Sequence, residues 1–169
     1  MQVWIKKYNG GTLENQYEAK NIVNFDQGLD IPVQTFAMPE SSSDDAILTK
    51  AEGNVEKINF SWIIKDEALS PARDGSNNYI NSFTRLDDST TWESRTPDGA
   101  YVYLIENFEK IGIGDNFKYE FLLYDDANSK RLTAKYGVIQ RISISKSATD
   151  PAVYNAAIEF QVGTDVTVE

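Results

Sequence analysis

The chain has 169 residues, 41% of them hydrophobic, with nine Tyr, eight Phe and three Trp; that is material for one well-packed domain and excludes wholesale disorder. It has no Cys and no His, which removes disulfides, thiolate nucleophiles, Cys-built zinc sites, the commonest general base and the commonest transition-metal ligand. The net charge is −10, split as 8 basic and 12 acidic residues up to Arg85 and 8 and 14 beyond it, so neither part is a charged tail, and phosphate contacts to nucleic acid are disfavoured.

The N-terminus, Met-Gln-Val-Trp-Ile-Lys-Lys, lacks an apolar signal core. No apolar run approaches the roughly 20 residues of a membrane helix, so the chain is expected to be soluble. Val3 to Tyr8 is a weak strand and Gly10-Gly11 a hairpin turn. Ile22 to Phe25 is a second weak strand. Asp26 to Asn54 breaks the pattern: it holds Pro32, Pro39, the Ser41 to Asp45 run and few periodic apolar positions. It is expected to be a long loop or arm. Its apolar members Ile31, Val33, Phe36, Met38, Ile47 and Leu48 need a surface to bury against, so they are assigned to contact with another subunit.

From Val55 to Ile64 the residues Ile58, Phe60, Trp62 and Ile64 alternate with Lys57, Asn59, Ser61 and Ile63, the period of a half-buried strand. Tyr79, Ile80, Phe83 and Leu86 have the spacing of a short helix. Asp88 to Pro97 is a polar connection in which Trp92 is expected to be exposed, as a partner contact or a ligand platform. Tyr101, Leu104, Ile105, Phe108 and Ile111 predict a helix over Gly99 to Lys110, with Asp98 at its start and Gly112 as C-cap.

Phe117 to Tyr124 is the next strand, and Asp125 to Ser129 a hairpin turn. Leu132, Ala134, Tyr136, Val138, Ile142 and Ile144 continue in strand, with Gly137 marking a bulge or bend. Ser147 to Pro151 connects to Tyr154–Val162, and Val166 to Val168 is a last weak strand. Strands are not separated by recurring helices, so a parallel sheet is disfavoured. The predicted fold is mainly β: one domain over 1–169, an antiparallel sandwich or barrel with one flanking helix and a long inter-subunit loop. Ile58, Phe60, Trp62, Leu104, Phe108, Phe121, Leu123, Ile142, Ile144, Ile158 and Phe160 form the predicted core.

Catalytic chemistry finds little support. The acidic pairs Asp44-Asp45, Asp66-Glu67, Asp87-Asp88 and Asp125-Asp126 sit in polar, turn-like settings, where a general acid would not have its pKa raised. Asp126-Ala127-Asn128 opens like a calcium loop, but Lys130 and Arg131 occupy positions that need oxygen ligands and a glycine. Gly112-Ile113-Gly114 lacks the Lys and the following helix of a phosphate loop. No S-x-x-K or G-x-S-x-G occurs. No catalytic residue, cofactor or metal site is assigned. Trp4, Trp62 and Trp92, with Tyr101 and Tyr103, are candidates for a sugar-stacking platform, though the strand period places Trp62 in the core.

The late part of the chain has a familiar cadence. Tyr136-Gly137-Val138-Ile139-Gln140-Arg141-Ile142-Ser143-Ile144-Ser145 is followed by Asp150-Pro151-Ala152-Val153-Tyr154-Asn155-Ala156-Ala157-Ile158-Glu159-Phe160-Gln161-Val162-Gly163. The pair resembles the C-terminal strands of tail tube proteins of tailed viruses, phage or archaeal, whose fold is shared with contractile injection systems. Gly53 to Asp66 is similar to an internal strand of the same proteins, and one amphipathic helix precedes the final strands in both. The similarity covers about half the chain and leaves Asp26 to Asn54 and Asp87 to Pro97 unmatched.

The resemblance implies a structural, non-catalytic subunit of a homo-oligomeric ring, hexameric in that family, stacking into a tube. It implies a virion tail made in the host cytoplasm, contacts with neighbouring tail proteins, and a lumen through which DNA passes without specific binding. An acidic lumen would repel that DNA. No membrane partner is implied. The alternative is a carbohydrate-binding or receptor-binding β-sandwich module of a virion or secreted protein.

Overall fold

The computed structural model of the chain describes residues 1–30, 33–37, 46–50, 55–65, 71–85, 88–108, 117–125 and 130–163. In chain order the elements are β1 (Gln2–Asn9), β2 (Thr12–Ala19), β3 (Ile22–Asp30), β4 (Val33–Ala37), β5 (Ala46–Lys50), β6 (Val55–Ile64), β7 (Ala72–Asp74), β8 (Ser82–Thr84), β9 (Thr91–Glu93), α1 (Pro97–Phe108), β10 (Phe117–Asp125), β11 (Lys130–Lys146) and β12 (Tyr154–Val162). Eight strands form one sheet in the order β3-β6-β12-β11-β10-β1-β2-β7, while β4–β5 and β8–β9 are two-stranded ribbons. All pairings are antiparallel.

Period-two patterning decides which side chains point inward. Ile58, Phe60, Trp62 and Ile64 of β6 are buried, as are Val3 and Ile5 of β1 and Tyr154, Ala156, Ile158 and Phe160 of β12. The sheet then rolls so that distant strands face each other. Phe60 of β6 lies 5.5 Å from Phe121 of β10, and Trp62 of β6 lies 6.1 Å from Tyr17 of β2, ring centre to ring centre. Such aromatic contacts add about 0.5–1.5 kcal/mol each to the roughly 1.5–3 kcal/mol from burying each large side chain. Helix α1 packs on this core through Tyr103, stacked on Tyr17 at 6.4 Å, and Phe108, 6.2 Å from Tyr119. Ile142 and Ile144 are only partly buried at the rim of the core.

Strand β11 serves both halves of the sheet. Its first half pairs with β10 and its second with β12, and Gly137 is opposite Tyr119 on one side and Val162 on the other. The register breaks lie elsewhere, at Leu123/Tyr124 and at Ile139/Arg141. Gly137 therefore marks a close approach, not a bulge: a Cβ there would sit 2.0 Å from the Gln161 carbonyl oxygen. The hairpin expected at Gly10-Gly11 joins β1 to β2, with φ of +53° and +90°, values that favour glycine at both positions.

Three expectations are corrected. Residues 79–85 do not form a helix: Ser82–Thr84 is strand β8, paired with β9, and Phe83 is opposite Trp92. Four apolar positions in so short a segment fit either period, and the turn decides. Arg85 N–H donates to the Thr90 carbonyl at 3.0 Å and Thr90 N–H to the Asp88 carboxylate at 2.9 Å; the latter bond holds the Asp88 carboxyl below its ordinary range. Helix α1 starts two residues earlier than expected, and its cap is Thr96, whose Oγ1 accepts the Gly99 N–H at 3.1 Å. Asp98 lies in the first turn instead, accepting from the Tyr154 hydroxyl and lying 3.7 Å from Lys146 Nζ.

The third correction concerns Asp26 to Asn54. The stretch read as a loop holds the end of β3 and the whole of β4 and β5. Pro32, Pro39 and the serine run concealed it, but Val33, Thr35, Ile47 and Thr49 are β-branched residues suited to an extended backbone. Leu86, the C-cap at Gly112, the tip at Val166 to Val168 and the centre of the Asp125 to Ser129 turn lie outside the described residues. Asp125 is opposite Lys130 across that turn, as a hairpin requires.

Candidate assembly surface

The two ends of the eight-stranded sheet differ. At one end β3 pairs with β6 over nine residues, from Ile22 opposite Trp62 to Asp30 opposite Val55, and no described strand pairs with its other side. Val23 is 65% and Leu29 54% exposed on this strand. Val23 falls at a register break, where one extra residue is pushed out of the ladder. Beyond Asp30 the chain pairs again as β4–β5, from Val33 opposite Lys50 to Ala37 opposite Ala46. The edge ribbon and this second ribbon follow one another along the chain.

At the other end β7 has only three residues, Ala72–Asp74, paired to β2. Its far side bridges Arg73 to Tyr79, and the turn after it is closed by the Asn78 N–H donating to the Asp74 carboxylate at 2.8 Å. That bond holds the Asp74 carboxyl below its ordinary range. Among the described residues one edge is thus long and open, the other short and covered.

Polar contacts pin the open edge. Lys135 Nζ of β11 donates to Glu56 of β6 at 3.0 Å, and Gln27 of β3 donates to the other Glu56 oxygen at 2.5 Å. The Lys135 bond is the main cause of a lowered Glu56 pKa. A part-exposed pair of this kind is worth about 0–1 kcal/mol, so it fixes geometry more than stability.

Of the residues assigned to a subunit contact, Ile31 and Met38 lie outside the described residues. Val33, Phe36, Ile47 and Leu48 fall on the β4–β5 ribbon, with Phe36 opposite Ile47 and Leu48 opposite Thr35. Trp92 is elsewhere, on β9, and is half-buried against Phe83's strand, not exposed. Among the sugar-platform candidates, Trp62 and Tyr103 are core residues, Tyr101 stacks on Tyr154 at 5.3 Å, and Trp4 is half-buried on the outer face of β1.

One polar group on that outer face escaped the sequence reading. The Tyr8 hydroxyl donates to Glu120 at 2.8 Å, Tyr136 lies edge-on to Tyr8 at 6.5 Å, and Lys118 sits 4.2 Å over the Tyr136 ring. Burial, and then the Glu120 carboxylate, push the Tyr8 hydroxyl well above its usual pKa. Its members come from β1, β10 and β11, so only the sheet order brings them together. Among the described residues no group of three acidic side chains could hold a metal, and no helix is long and apolar enough to cross a membrane.

No family profile matches the chain, and no curated protein does. Among solved structures, one that it matches is Hcp1 from Flavobacterium johnsoniae, with 7% sequence identity and a TM-score of 0.34 over 94% of this chain and 89% of that one. A likeness at that level assigns no function.

Proposed function

We propose that the protein is a non-catalytic structural subunit that joins copies of itself head to tail in a ring, the rings stacking into a tube. The observation that carries this reading is the inequality of the sheet's two ends. A nine-residue open edge offers a row of backbone donors and acceptors, which must be covered or paired to avoid uncontrolled association. Because the other end is different, a contact between unlike surfaces is heterologous, and heterologous contacts form rings when their rotation closes. The β4–β5 ribbon, which follows the edge strand along the chain, carries Val33, Phe36, Ile47 and Leu48.

The sequence resemblance to tail tube proteins supports the finer version: a hexameric ring in a viral tail, with a lumen that passes a genome and carries part of the −10 charge on its inner wall. Electron microscopy and native mass spectrometry of the purified protein test the assembly. Rings are expected for the wild type, and a folded monomer for Val23→Lys combined with Leu29→Lys, since charges on an edge strand oppose pairing. A wild type that stays monomeric up to millimolar concentration, or a double variant that assembles as before, would overturn the proposal.

A further inference from the structure

The outer face of β1, β2 and β10 carries an open cleft of about 490 Å3, bordered on one side by the Gly75 to Asn77 turn. That volume falls within the roughly 300–1,000 Å3 of small-molecule sites. Two aromatic rings, Trp4 and Tyr124, share its wall with the amides of Gln2, Gln16 and Asn77 and the ammonium of Lys6. Among the described residues no acidic side chain lines it, although the chain as a whole carries −10.

The wall is held in place before any ligand arrives. The Arg73 guanidinium lies 5.2 Å from the Trp4 ring centre and 3.8 Å from that of Tyr79, so one cation contacts both rings. Arg73 also donates to the Asn77 carbonyl at 3.0 Å, and Gln16 Nε2 donates to the Asp74 carbonyl at 3.0 Å. These bonds tie the bordering turn to β2 and β7. A rigid wall lowers the ordering cost of binding.

The chemistry of the wall selects the ligand. A wholly apolar guest would cover the amides of Gln2 and Asn77 without offering them hydrogen bonds, which is costly. A compact ion would leave the indole face unused. A pyranose ring has both parts: an apolar C–H face that stacks on an aromatic ring, and hydroxyls that both donate to and accept from amides. We propose that this cleft is a saccharide-binding site for one or two pyranose rings, with Trp4 as the stacking platform, Gln2, Gln16 and Asn77 as hydroxyl partners, and Lys6 favouring a sugar that bears a carboxylate. The site is independent of ring assembly and would serve a tube subunit or a free module alike.

Saturation-transfer NMR and calorimetry with the full chain test this, using four probes: maltose, lactose, diacetylchitobiose and digalacturonate. Saturable transfer to the ring C–H protons of at least one probe is expected, strongest for digalacturonate. Trp4→Ala is expected to weaken binding at least about tenfold. Ser76→Trp, placed on the bordering turn to fill the cleft, should do the same with Trp4 and Lys6 intact. Lys6→Gln should remove the advantage of digalacturonate and leave the neutral probes unchanged. No saturable transfer to any probe, or transfer unaffected by both Trp4→Ala and Ser76→Trp, would overturn the site. A digalacturonate preference that survives Lys6→Gln would overturn the role of the ammonium.

Discussion

Gly137→Ala probes the point where β10, β11 and β12 meet. A Cβ at Gly137 would lie 2.0 Å from the Gln161 carbonyl oxygen and 2.9 Å from Phe160 Cε1, more than an ångström inside ordinary contact with the first. The obstacle is backbone, so no rotamer change relieves it, and β12 must move away from β11. That movement strains the neighbouring bond from Gly163 N–H to the Tyr136 carbonyl, 2.9 Å long. Overpacking costs about 1–3 kcal/mol, and a lost hydrogen bond about 1 kcal/mol. The intrinsic gain of Ala over Gly within a strand offsets about 0.5–1 kcal/mol. The net expectation is a loss of about 1–3.5 kcal/mol, or roughly 2–14 °C in Tm for a chain of this size. Gly28→Ala on β3 is the control, since a Cβ there meets nothing within 4 Å. It should be neutral or slightly stabilising. Urea unfolding followed by tryptophan fluorescence, with both variants in the same assembly state as the wild type, gives the comparison. A Gly137→Ala variant within about 0.5 kcal/mol of wild type, the ordinary range for surface substitutions, would refute the close-approach reasoning. So would a Gly28→Ala variant that costs as much.

Further outcomes are expected elsewhere in the fold. Phe121 contacts the rings of Phe25, Phe60 and Phe160 at 6.0, 5.5 and 5.9 Å, so Phe121→Ala should cost about 3–5 kcal/mol in the same urea assay. Thr96→Ala removes the acceptor for the Gly99 N–H and should cost about 1 kcal/mol, with Thr96→Ser recovering most of it. Asp74 has a lowered pKa because the Asn78 N–H bonds its carboxylate. Its contribution is therefore present above the ordinary carboxylate pKa of about 3.9 and is lost as pH falls through the lower folded value. Hydrogen exchange at the Asn78 amide should be protected relative to Asp74→Asn at neutral pH, and that difference should vanish in acid. Equal protection in both proteins at neutral pH would sink this account of the turn.

Much of the fold was legible along the chain. Strands β6 and β12 have the limits their alternating apolar residues predict, because each needs only one buried face and its neighbours in sequence reveal it. Helix α1 declared itself by the change of period between Tyr101 and Phe108, and Gly10-Gly11 by its turn chemistry. The β4–β5 ribbon did not, since its short strands carry no regular alternation of apolar and polar residues, and Pro32 and Pro39 signalled a break. The apolar residues there were nonetheless conspicuous for lacking a period. What only the tertiary structure decided was adjacency. Alternation tells which side of a strand is buried and is silent about which strand lies beside it. So the open edge at β3, the Tyr8–Glu120–Tyr136 group and the cleft around Trp4 appear only once the sheet order places residues from distant parts of the chain side by side. Gly137 shows the same divide: the sequence marked it as unusual, and only the approach of β12 supplied the reason.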